Sequence, residues 1–278
     1  MELIIVNQAM DILVTVDEQY LSPLKVMLLS LKENNKNSQV TVWLIHEKIG
    51  QEKLLEIGEL LSSWDWTLKT IRVKEQFFDE APTVKRYPKE MYYRLLCGEI
   101  LPRKLKRILY LDPDILIINS LEKLWHLDLE GYLLGAARHS GVTNLTTSIN
   151  NIRLKTDHYY YNSGVMLIDL ERARELIKLE DINRTIERYA NVLLLPDQDI
   201  LNHLYGEYIK EIPEENWNYD ARKYKSYLVK SLGEYDIHWV MENTSILHFC
   251  GKPKPWQKKS ATRLTALYLD YAKRVCHH

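Results

Sequence analysis

Strand-length apolar runs alternate with helical stretches along most of this chain, and that rhythm leaves few folds open to it. DILVTV (11–16) is followed by SPLKVMLLSLKENN, where Ser22 can cap a helix and Pro23 suits its first position. VTVWLI (40–45) precedes the amphipathic QEKLLEIGELLSSW, and TLKTIRV (67–73) leads through a Pro-containing loop to KEMYYRLLCGEIL. RILYL, ILII and YLLGAA come next, then a polar stretch at 139–158, SGVMLIDL, two charged helices and LPDQDILNHLYGE. SILHF (245–249) and a terminal helix around TRLTALYLDYAKR complete the series. Parallel strands need crossovers of helix length, so the pattern predicts a mainly parallel sheet flanked by helices. Segments 139–158 and 215–245 are polar without a clear period, which predicts the softest parts of the fold.

At 278 residues and 46% hydrophobic, the chain suits one large α/β domain or two small ones. Its 37 basic and 38 acidic side chains give a formal net charge of -1, so no nucleic-acid partner is expected. Cys97, Cys250 and Cys276 are odd in number and widely spaced, matching neither a disulfide framework nor a zinc pattern. The N-terminal stretch lacks a basic region and a small-residue cleavage site, and no run reaches the roughly 18 apolar residues of a membrane span. The expectation is a cytoplasmic protein, in which the sequons at Asn144, Asn183 and Asn243 are chance matches. Tyr and Trp number 18 and 7 against only 3 Phe, a balance that leans toward rings with polar handles, as sugar or nucleotide contacts use.

The chemistry concentrates in RILYLDPDILII (107–118), where Asp112 and Asp114 flank Pro113 inside an otherwise apolar run. An unpaired buried carboxylate costs several kcal/mol, so these two need compensation. A hard divalent cation would offset their repulsion and bridge phosphate oxygens. A lone D-x-D is common, and an aspartyl phosphatase also places D-x-D after a hydrophobic strand, with Asp112 then the nucleophile. Leu116 stands where that class usually has Thr or Val, and the motif lies far from the chain start.

His248 ends an apolar run; alone it reads as a structural histidine, and beside a carboxylate pair as a third ligand. Lys252 and Lys254 in the GKPKPW turn are either a solvated basic turn or point charges for phosphate. Asp197 and Asp199 open a helix and can serve as dipole-favoured residues, whereas Gln198 between them has no capping need. Asn162, just before a strand, is either a turn residue or a sugar-hydroxyl contact. No GxGxxG or GxxxxGK[ST] occurs, so a backbone cradle for phosphates is not evident.

DILVTVDEQY, YYRLLCGEILP, LYLDPDILIINSLEKLW, YNSGVMLIDL, LPDQDILN and HFCGKPKPW stand in the order and spacing of glycosyltransferase family 8, which the chain resembles from about residue 10 to 260. That group includes bacterial lipopolysaccharide galactosyl- and glucosyltransferases, glycogenin and the general stress protein A type. The resemblance implies an α/β GT-A fold, a Rossmann-like nucleotide-binding sheet merged with a smaller acceptor-side sheet in one domain. Residues 10–120 would form the nucleotide-sugar half, 121–260 the acceptor and catalytic half, and 261–278 a C-terminal helix.

The same resemblance implies a retaining hexosyltransferase that moves glucose or galactose from a UDP-sugar to a glycan or glycoconjugate acceptor, as in lipopolysaccharide biosynthesis. Its cofactor would be Mn2+, with Mg2+ the alternative, held by Asp112, Asp114 and His248. Thr15, Asp17, Gln19 and Tyr20 match uridine positions, with Tyr20 stacking on the base. Arg94 and Asp112 match donor contacts, Gly251 and Lys254 pyrophosphate contacts, and Asn162, Asp197 and Gln198 residues around the transferred sugar, with Gln198 near the anomeric carbon. Gln19 replaces a more usual Asn and Thr15 a common Ala. The long basic, aromatic tail that docks some members on membranes is absent, while Lys258, Lys259, Arg263, Lys273 and Arg274 leave at most weak attachment to the inner face of the plasma membrane. Rival readings are the metal-dependent aspartyl phosphatase and a non-catalytic UDP-sugar binding protein.

Overall fold

The structure is a computed structural model that describes residues 9–73, 90–138, 145–189, 192–260 and 262–275. The Pro-containing loop before Lys89, residues 139–144 of the polar stretch with Asn144, and Cys276 lie outside the described residues. Two sheets form among them. The large one orders its strands β3 (Thr67–Arg72), β2 (Val40–His46), β1 (Met10–Thr15), β4 (Arg107–Leu111), β7 (Tyr161–Asp169), β6 (Leu134–Arg138) and β8 (Ile209–Ile212). The small one is β5 (Ile115–Ile117), β10 (Ile246–His248) and β9 (Tyr219–Asp220).

The parallel expectation holds across β3, β2, β1 and β4, and again between β6 and β8. β7 is the exception, antiparallel to both β4 and β6. β1 sends its crossovers outward to β2 and β3 on one side and meets β4 on the other, so the strand order reverses between β1 and β4. The crevice beyond the carboxyl ends of those two strands is where ligands settle in open α/β sheets.

Strands buried on both faces read as continuous apolar runs, and β1 and β4 do so because one hydrophobic cluster covers each face of the sheet. Ile12, Leu13, Val14 and Leu109 have no exposed surface; burying each such side chain contributes roughly 1.5–3 kcal/mol. A third cluster seats the helix Thr265–Val275 against the small sheet through Tyr268, Phe249 and Leu264. Arg274 ties that helix to Leu21–Asn34 by donating to Glu33 at 2.6 Å.

Three expectations are corrected. The first long helix is Leu21–Asn34, so Ser22 and Pro23 lie inside it. Its start is set further upstream, where Asp17 caps the 3-10 turn Glu18–Tyr20 by accepting from the Gln19 and Tyr20 amides at 2.9 and 3.2 Å. The stretch 215–245 is largely helical rather than soft: Glu214–Trp217, Tyr224–Lys230 and Ile237–Asn243 are short helices around β9. Leu145–Leu154 is likewise a helix within 139–158. Helices of one or two turns are too short to show a 3.6-residue period, and tertiary packing of Tyr224, Tyr227 and Val240 stabilises the later ones.

Candidate active site

Asp112 and Asp114 occupy the corner where the chain leaves the large sheet for the small one, between β4 and β5. Pairing then gathers the rest. β7 runs antiparallel to β4 with Leu111 opposite Val165, so its first residues arrive beside the last of β4, and the Asp112 amide donates to the Gly164 carbonyl at 2.8 Å. β10 runs antiparallel to β5 with His248 opposite Ile115, which sets His248 next to Asp114. One ligand atom each from Asp112, Asp114 and His248 lie within 4.8 Å of one another. His248 Nε2 stands 3.4 Å from Asp114 Oδ1 and 3.8 Å from Asp112 Oδ2.

Two carboxylates and an imidazole converging from different strands fit a divalent cation by donor chemistry. The outer contacts that orient such ligands are also present. Asn218 Oδ1 lies 2.7 Å from His248 Nδ1, and the Tyr110 hydroxyl donates to Asp112 Oδ1 at 2.6 Å. Since Tyr110 spends its proton there, Thr15 Oγ1, 3.3 Å away, donates to Tyr110. Lys254 pairs with Asp114 Oδ2. Burial alone would raise the Asp114 pKa, but His248 and Lys254 outweigh it and hold the carboxyl well below its ordinary range.

Arg94 joins this cluster to Asp197. Its guanidinium bridges Asp112 Oδ1 at 3.0 Å and Asp197 Oδ2 at 3.3 Å, and lies over the Tyr110 ring. Asp197 also accepts from Ser163 Oγ at 3.2 Å. Burial pushes the Asp197 carboxyl up, with Arg94 opposing. Asn162 donates to Gln198 Oε1 at 3.2 Å. Thus Thr15, Arg94, Asp112, Asp114, Asn162, Asp197, Gln198, His248 and Lys254 form one connected group. Asp17, Gln19 and Tyr20 follow the end of β1, where Tyr20 lies within electrostatic reach of Lys254, Asp114 and Asp112 and meets Trp256 of the GKPKPW turn edge-to-face at 6.0 Å. Gly251 takes φ +68, a conformation that favours glycine, and Arg222 packs against it. Asp199 points away from the cluster. Its carboxylate takes both terminal nitrogens of Arg153 at 2.7 Å, the Tyr160 hydroxyl at 2.6 Å and the Leu194 and Leu195 amides.

Tyr110, Ser163, Gly164 and Asn218 were not singled out from the sequence. Gly164 had a usable signal, since glycine inside an apolar strand often marks a close approach. A Cβ there would collide with His248 Cε1 and come within 2.7 Å of Asp112 Oδ2 and 3.0 Å of Asn162 Oδ1. Gly164→Ala is therefore expected to weaken divalent-cation binding by at least tenfold, read with Mn2+ as the probe by electron paramagnetic resonance of the free ion; unchanged affinity would show the strand can yield.

A family model, Glycosyl transferase family 8, matches residues 11–260. The chain belongs to glycosyl transferase family 8. Its relatives agree: general stress protein A of Bacillus subtilis is 27% identical, with 95% of this chain and 93% of that protein covered. A lipopolysaccharide 1,2-glucosyltransferase of Escherichia coli is also 27% identical, over 87% of this chain and 71% of that one. The solved structure of the galactosyltransferase LgtC in complex with donor and acceptor sugar analogs superposes with a TM-score of 0.79 at 22% identity, covering 95% and 96% of the two chains. The fold is GT-A and the chain is a glycosyltransferase, which sets the aspartyl-phosphatase reading aside. Among the described residues no helix is long and apolar enough to cross a membrane.

Proposed function

We propose that this family 8 member moves a hexose, glucose or galactose, from a UDP-sugar to a hydroxyl of a glycan or glycoconjugate with retention of anomeric configuration. The observation that supports it most is the joining of the Asp112–Asp114–His248 cluster to Asp197, Asn162 and Gln198 through Arg94 at the β1–β4 crevice. Asp112, Asp114 and His248 would hold the cation, and an imidazole among carboxylates favours Mn2+ over Mg2+. A cation bound there supplies Lewis-acid stabilisation to the diphosphate leaving group.

The chain's own residues do the rest. Thr15, Asp17, Gln19 and Tyr20 receive the uridine. The turn at Gly251 lets the backbone approach the pyrophosphate, and Lys254 adds a positive charge where negative charge develops. Asp197, anchored by Arg94 and Ser163, orients sugar hydroxyls. The bond from the anomeric carbon to the diphosphate oxygen breaks, and the acceptor oxygen bonds to the same face of an oxocarbenium-like centre. The acceptor proton passes to the departing phosphate oxygen, so no enzyme nucleophile is required.

The relatives named lipopolysaccharide glucosyltransferases support a lipopolysaccharide or similar surface glycan as acceptor, with the enzyme working in the cytoplasm or at the inner membrane face. Incubation with Mn2+ and a panel of UDP-sugars should release UDP from one donor above the rest, which names the sugar; binding without release from any donor would mark a non-catalytic binder. Asp197→Asn is expected to lower kcat about 100-fold, the scale of a misplaced substrate. Near-wild-type turnover in that variant would remove Asp197 from the mechanism.

A further inference from the structure

One hydrogen-bonded chain runs from the cation cluster to Gln198, and two backbone amides dictate its polarity. The Gly164 N–H donates to Asn162 Oδ1 at 2.9 Å. A backbone amide can only donate, so the Asn162 atom it meets is the oxygen. Asn218 reaches that same oxygen at 2.9 Å and must present its Nδ2 there. Its other atom, facing His248 Nδ1 at 2.7 Å, is then oxygen, and Nδ1 carries the proton. In the neutral ring this leaves Nε2, the nitrogen that faces Asp112 and Asp114, as the bare one.

The other direction follows by the same logic. With its oxygen engaged, Asn162 offers Nδ2 to Gln198 Oε1 at 3.2 Å, and the Ser163 N–H reaches that oxygen at 3.3 Å. Gln198 is thus oriented with its carbonyl turned into the protein. Its Nε2 is buried and faces the Tyr160 hydroxyl, which donates to Asp199 and so can only accept from the amide. An amide nitrogen carries two N–H donors, so one remains for a substrate oxygen.

We infer that Asn218 is a positioning residue that fixes the metal-facing nitrogen of His248 and, through Asn162, turns Gln198 to act as a hydrogen-bond donor. Asn218 is 3% exposed and sits just before β9, whose parallel pairing with β10 puts Asp220 opposite His248. The Asn218 amide satisfies both neighbours, since His248 needs an acceptor and Asn162 a donor. Gln198 then contributes an N–H toward an oxygen of the bound sugar or its leaving group. Its own oxygen, held by two donors, does not attack the anomeric carbon. This rests on the proposed transferase reading for its consequence in turnover, but not for its tautomer.

Two substitutions separate the ends of the chain. Asn218→Asp keeps the acceptor for His248 and loses the donor to Asn162. It should leave Mn2+ affinity within about threefold of wild type and lower kcat for UDP-sugar hydrolysis roughly 10–100-fold. Asn218→Ala loses both, and Mn2+ affinity should fall as well, by about 10–100-fold, the range found when partners behind a metal ligand are removed. Affinity is read by electron paramagnetic resonance of free Mn2+, with no substrate present. Nitrogen NMR of the Mg2+-saturated wild-type protein, with His248→Gln to assign the signal, should place the proton on Nδ1. A proton on Nε2, undiminished Mn2+ affinity in Asn218→Ala, or wild-type kcat in Asn218→Asp each overturns the inference. Should no UDP-sugar turn over at all, the tautomer and the Mn2+ titrations still decide it.

Discussion

Replacing Asp114 by Asn should lower sugar transfer at least a thousandfold while the protein stays folded. Asp114 is 6% exposed and its carboxylate faces His248 and Lys254. Those two neighbours hold its pKa down against burial, so the group is charged throughout the neutral range. Asn keeps the shape and removes the charge, so the cluster loses one of its two anionic oxygen donors. A Lewis-acid cation is worth several kcal/mol at the transition state, and each 1.36 kcal/mol is a factor of ten. The measurement is UDP release and transfer in Mn2+, paired with near-UV circular dichroism for folding. Transfer within tenfold of wild type would remove the cation from the reaction.

Asp199→Ala is expected to destabilise the fold by about 3–5 kcal/mol without touching the cation cluster. The carboxylate has no exposed surface, and its loss strands the Arg153 guanidinium, the Tyr160 hydroxyl and two backbone amides. At roughly 2–4 °C per kcal/mol, Tm should drop by about 10 °C. The effect depends on pH with a definite sign. Burial raises the Asp199 pKa, but hydrogen bonds from Arg153 and Tyr160 outweigh it and leave it below the ordinary value of 3.8. The unfolded chain therefore takes up this proton first. The stabilisation is complete above 3.8 and shrinks as pH falls below it, so the gap between wild type and variant in urea melts should narrow from pH 7 to pH 3. A gap that stays constant, or one under 1 kcal/mol at pH 7, would contradict the network's importance.

The candidate cation ligands were legible early because their sequence context was anomalous. Asp112 and Asp114 break an apolar run, and His248 closes one, so each asks for a compensating partner. Asp199 shows the opposite case. Next to Asp197 and Gln198 in sequence it looks like part of the same site, yet one helical step turns it to Arg153. Asn218 gave no warning, because NWNYD has neither period nor motif and its role comes from what pairs with β9. Short helices between 214 and 243 were equally opaque, since one or two turns carry too little pattern to separate from loop.

Hydrophobic period and residue chemistry by themselves determined the α/β class, the succession of strands and helices, and the candidate ligands, for these are local properties that a buried strand or a paired carboxylate imposes on its own neighbours. Only the tertiary structure decided that β7 reverses direction, that β5 leaves for a second sheet, and that Asn218 stands between His248 and Asn162. Those arrangements join residues up to 136 positions apart, Asp112 to His248. Pairing direction and register depend on partners the local chain does not encode.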